Sequence, residues 1–201
     1  RPACAIGLED VLLAPFWNER NQSRRVPRTR AGFEAALTPV LNTARSIILI
    51  DPHIAIRVYR GNIEFLEMLS VVDKCASPDN RRCPLSLLEI HTEDAPEIPA
   101  AEYAKVIRDI RRAMPRICAL GVKRVLRAWQ EKPNGPPLHN RRIITNQTAI
   151  SCPWGLDIHE QPGHAPGDDE WALLDNTIRN AIWQDFQPNT SLYDLRQDLV
   201  W

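Results

Sequence analysis

The run Ser46-Ile47-Ile48-Leu49-Ile50 constrains this chain more than any other stretch. Four consecutive aliphatic residues are too short for a helix and too apolar for a sheet edge, so they predict a strand buried on both faces. Asp51-Pro52-His53 follows directly, and proline ends the ladder because it has no N–H to give. The same grammar recurs downstream. Leu85 to His91 and Arg124 to Trp129 read as two more buried strands. Between them, Asn62 caps a helix through about Ala76, with Phe65, Leu69 and Val72 on one face. Ala100 to Met114 is a second helix, with Tyr103, Ile107 and Ile110 inward and Arg108, Arg111 and Arg112 on a solvated face. Strands alternating with helices predict an α/β domain with a mixed, largely parallel sheet flanked by helices.

The remaining elements fall around that frame. Arg30 to Ala44 has helical spacing interrupted by Pro39, which predicts a kinked helix or two short ones. Leu138 to Asn146 and Ala149 to Cys152 read as two short strands joined by a turn at Asn146-Gln147. Residues 158–169 read as loop, Trp171 to Leu174 as a further strand, and Asn176 to Phe186 as a helix. Leu192, Leu195, Leu199 and Trp201 form a docked amphipathic tail over residues 188–201. Before residue 30, the apolar patch Val11 to Trp17 and the arginines after it suit a flexible arm or an edge element. The chain begins at Arg1 without methionine, so it is expected to be part of a larger multidomain protein.

The apolar share of 44 % is enough for a core, and no apolar run reaches the roughly 18 residues that span a membrane. Five scattered cysteines form no CxxC pair and no zinc-ligand spacing. They read as reduced thiols of a cytoplasmic protein, with Cys75 and Cys83 able to bridge in an oxidising compartment. Net charge is zero but uneven: residues 1–142 hold 23 Lys+Arg against 16 Asp+Glu, a net of +7, and residues 143–201 hold 2 against 9, a net of −7. The cationic part is nearly all arginine, which suits bidentate phosphate contacts, though the acidic part can equally fold back onto it. No GxGxxG, no GxxxxGK[ST] and no GxSxG is present, so dinucleotide or P-loop cradling and a hydrolase elbow are not expected, nor is any cofactor or metal.

What remains are polar residues at the ends of buried strands, where open α/β sheets keep their sites. These are Asp51 and His53, His91 and Thr92, Trp129, and then His139, Arg141 and Asn146. On a strand His139 and Arg141 share a face. A histidine beside an arginine suits a phosphate, and the plain alternative is an edge strand facing water. Trp129 and Trp154 are expected in the core, and His159 and His164 carry no expected role.

His139-Asn140-Arg141 with Asn146 five residues on resembles the HxKxxxxD signature of the phospholipase D superfamily, with arginine for the lysine and asparagine for the aspartate. The order Asp51-Pro52-His53, His139-Asn140-Arg141, Gly155-Leu156-Asp157 is similar to the C-terminal phospholipase D-like domain of MIT-domain-containing proteins. The resemblance covers about residues 30–187, which it marks as a phospholipase D-like domain between an element at 1–29 and the tail. It implies that His139 is the nucleophile position and Arg141 a phosphate holder, and that a one-copy chain completes a site as a homodimer. Asn146 cannot orient a histidine as an anion, and Asp157 is the substitute. The expectation is a degenerate domain that binds a phosphate-bearing ligand, phospholipid headgroup or nucleic acid, without hydrolysis. Its ligand-binding set is Asp51, His53, His91, Arg141 and Asp157, and its location is the cytoplasm or the periphery of a membrane. The alternative is a metal-independent phosphodiesterase or nuclease working as a homodimer through His139, with Arg141 and Asn146.

Overall fold

The strands are β1 (Ser23–Pro27), β2 (Ser46–Ile50), β3 (Leu87–Glu93), β4 (Lys123–Glu131), β5 (Arg142–Thr145), β6 (Ala149–Ser151), β7 (Asp168–Leu174) and β8 (Tyr193–Val200). In this computed structural model, which describes residues 23–77, 79, 82–159, 167–189 and 192–201, they form one eight-stranded mixed sheet. The strand order is β1-β7-β6-β5-β2-β3-β4-β8. The aliphatic run of β2 stands near the middle. Ile47 and Leu49 join the core on one face, Ile48 and Ile50 the core on the other. Every residue of β2 is buried, as a two-sided strand requires.

The sheet is less parallel than expected. Among the described residues, only the β2–β3 and β3–β4 pairings are parallel; β5 runs antiparallel to β2, and β6, β7, β1 and β8 each join antiparallel to a neighbour. A parallel return needs a crossover of a dozen residues or more. The link from β5 to β6 carries no helix, so that pair reverses direction, and β5 itself enters the sheet antiparallel to β2 after a helix-free link from β4.

Helices α1 (Arg30–Leu41), α2 (Ile54–Tyr59), α3 (Ile63–Cys75), α4 (Tyr103–Ala113) and α5 (Pro115–Ala119) pack on one face. Helix α6 (Asn176–Asp185) covers the other with Ile182, and Phe186 and Tyr193 extend that core. Helix α1 passes Pro39 as a single helix, the continuous one of the two alternatives expected there. Thr29 caps its start by accepting from Gly32 N at 3.0 Å, and Asn42 N still reaches Thr38 O at 3.1 Å beyond the proline. Helix α2 fills the stretch between the Asp51-Pro52-His53 stop and the Asn62 cap, for which no helix was expected. Thr92 Oγ1 of β3 donates to Pro52 O at 3.0 Å and accepts from Ala55 N at 3.1 Å, pinning the start of α2 to the sheet.

The C-terminal segment docks as edge strand β8 along β4. A register shift at Ala128/Trp129 switches its faces, so Leu195 packs with the α6-side core while Leu199 packs with the other. Cys75, Cys118 and Cys152 are in no disulfide, and Cys75 and Cys83 do not bridge. Among the described residues no helix is long and apolar enough to cross a membrane. The Val11–Trp17 patch and His164 lie outside the described residues.

Candidate functional site

The parallel strands β2 and β3 both end on one side of the sheet, and the chain returns to that side just before β5. Asp51 sits there with no exposure at all. Its backbone N–H reaches His91 O at 3.1 Å, and its Oδ1 accepts from His53 N at 2.8 Å, which starts the turn into α2. The other oxygen, Oδ2, is buried and unbonded, 3.6 Å from an equally buried and unbonded Arg141 Nε. Burial raises the Asp51 pKa, while the His53 bond and the charges of Arg57 and Arg141 lower it again. Two facing buried polar atoms without a full partner leave room for a further hydrogen-bonding group between or beside them.

Arg141 is held from its other end as well, since Nη1 donates to Pro153 O at 3.1 Å. Two residues on, Gly155 takes φ +110°, a backbone state that side chains disfavour. A Cβ there would lie 2.8 Å from Asp157 Oδ1, 3.5 Å from Arg141 Cδ and 3.6 Å from Arg141 Nε. The glycine therefore lets a carboxylate and a guanidinium close on the backbone together. Asp157 is the hub of a charged cluster. Its Oδ1 takes Arg57, and its Oδ2 takes Arg28 at 2.7 Å and His159 Nε2 at 2.8 Å. Burial pushes its carboxyl up, but the hydrogen bond and charge of Arg57, the bond from His159 and the charge of Arg28 hold it below the usual range. Glu64, Asp157 and His159 also bring three ligand-type atoms within 4.8 Å. Two guanidiniums already neutralise Asp157 and repel a cation, so this group reads as an ion-pair network.

The second half of the cleft is different in charge. His53, Pro52, Ile56, Glu93, Asp94 and Glu97 line a hollow of about 250 Å³. Burial raises the Glu93 carboxyl, Glu131 and Glu97 push the same way, and His53 and His139 pull against them. His139 is exposed, and Glu131 fixes the chain just before it by accepting from Leu138 N at 2.6 Å. An anion is drawn to the arginine side and repelled by the carboxylates around His139.

Three motifs recognised separately in the sequence thus meet at one edge of the sheet. Two of the expected residues do not. His91 is 1 % exposed and faces the α6-side core. Its Nδ1 accepts from Trp129 Nε1 at 3.0 Å, and its Nε2 pairs with Glu89 at 3.0 Å. Tryptophan can only donate, so the imidazole is neutral with its proton on Nε2, and it is a core histidine, not a ligand contact. Asn146 lies beyond the opposite end of β5, about 14 Å from Arg142 at strand rise, where its Oδ1 accepts from Arg45 N at 2.7 Å. It cannot orient His139.

Other residues emerge only from the tertiary structure. Arg28, Arg57, Glu93 and His159 carried no motif. Trp154, expected in the core, is 71 % exposed between Pro153 and Gly155, at the rim beside Arg141; Trp129 is buried as expected. No protein-family model matches this sequence, and no curated protein matches it.

Proposed function

We propose that this chain binds a phosphate-bearing ligand, a phospholipid headgroup or a nucleic acid, on the arginine side of the cleft and does not hydrolyse it. The fold it would represent is a degenerate phospholipase D-like domain of the kind found C-terminal to MIT domains. One observation carries the reading: Arg141, Arg57 and Arg28 gather around Gly155 and Asp157, with Arg141 Nε buried and unbonded. Guanidiniums match phosphate oxygens in pairs, and a partly buried cluster holds them better than scattered surface charge. Trp154, next in the chain to Gly155, is exposed and adds apolar surface to this stretch. Binding without cleavage fits the distant Asn146 and the carboxylates around His139. Titration of the whole chain with anionic vesicles and with short single-stranded DNA tests this. Binding of one of them should weaken as salt rises, and Arg141→Ala should weaken it about tenfold or more. Binding indifferent to both salt and Arg141 would sink the proposal.

A second reading, a metal-independent phosphodiesterase or nuclease acting as a homodimer through His139, rests on that residue's exposure beside Glu93 and His53. It requires hydrolysis of an activated phosphodiester that survives chelator and disappears in His139→Ala. A monomer by sedimentation removes it.

A further inference from the structure

Asp157 stands where an incoming anion has to go. Its oxygens take Arg57 on one side and Arg28 and His159 on the other, and Arg141 lies on the same side of Gly155, facing Asp51. The group that gathers these guanidiniums therefore carries the same sign as the ligand assigned to them. Glu64 gives it a way to let go. His159 Nδ1 is 3.6 Å from Glu64 Oε1, so the imidazole keeps a carboxylate neighbour when Asp157 turns aside. We propose that Asp157 is an internal competing anion: it occupies Arg28 and Arg57 in the free protein, and a phosphate reaches them only by sharing or displacing it. This rests on the phosphate reading above and adds what sets the affinity. A purely structural Asp157 predicts the opposite sign, because its loss would scatter the arginines and weaken binding.

The test is calorimetric titration of the full chain with inorganic pyrophosphate, comparing wild type, Asp157→Asn and Arg141→Ala. Asp157→Ser serves as a second neutral variant should the asparagine form fail to fold. Removing a like charge from beside a partly buried anion should tighten pyrophosphate binding about tenfold, while Arg141→Ala weakens it. Wild-type binding that is lost in Arg141→Ala but unchanged or weakened in the neutral Asp157 variants overturns the competitor role alone. No pyrophosphate binding by any variant overturns the site reading itself. Repeating the titration of the neutral variant with phosphatidylglycerol vesicles and with short single-stranded DNA separates the two sources, since only the true one should gain affinity.

Discussion

Gly155 shows how one residue sets the terms of the cleft. At φ +110° an added Cβ would press against Asp157 Oδ1 at 2.8 Å. Gly155→Ala should therefore lose about 1–3 kcal/mol of stability in urea unfolding, with the strain falling on the Asp157 and Arg141 contacts. An alanine variant of unchanged stability would mean that the carboxylate moves freely, which the paired arginines argue against. At this scale the sequence was legible where a motif carried the residue. Asp51, His53, His139, Arg141 and Asp157 all stand on the side of the sheet where β2 and β3 end, in keeping with the strand-end expectation. It was illegible for Arg28 and Arg57, because nothing distinguishes them from the other arginines until folding brings them to Asp157. His91 misled for a related reason: a strand end reads the same whether its side chain turns to the cleft or to the other face.

Elements were read best where local chemistry defines them. Asn62 accepts from Phe65 N at 2.8 Å and caps α3 as its position in the sequence implied. Asn62→Ala should cost about 1 kcal/mol by urea unfolding, and a loss near zero would place the start of α3 elsewhere. Pro39 left two alternatives open, and the single helix is the one that formed. Proline removes one helical bond, yet the buried Phe33, Ala36, Leu37, Val40 and Leu41 hold α1 to the sheet on both sides of it. The end of the chain was under-read. Its leucines at 192, 195 and 199 have no strand period, because the register shift against β4 moves Leu195 and Leu199 to opposite faces.

At the scale of the whole molecule, buried Glu89, His91 and Arg127 form a network that reaches the exposed Asp198 and ties β3, β4 and β8 together, with Phe186 packed on His91. Burial lowers the His91 pKa below its ordinary 6.5, so the unfolded chain takes up that proton first as pH falls. The stability that neutral His91 confers is complete above about pH 6.5 and declines as pH drops below it, by up to about 1.4 kcal/mol per pH unit. Burial pushes Glu89 up, but the His91 and Arg127 bonds hold it lower, so its contribution is lost only as pH falls through the carboxylate range. Asp51 and Asp73, raised by burial, act in the opposite sense. Urea unfolding from about pH 7 to about pH 5 should show the decline in wild type and a flatter profile in His91→Gln. Equal slopes would place the proton elsewhere.

The sequence by itself determined the α/β class, the central buried strand, most of the helices that cover it and the order of the three motifs. Each depends on local pattern: apolar runs, caps, proline stops and their order. Tertiary structure alone decided the antiparallel wings, the side of the sheet each strand-end residue faces, and the charge of the cleft. Those depend on which strands pair and which distant side chains meet: Arg28 and Arg57 come together only at Asp157, and Arg141 comes to Asp51.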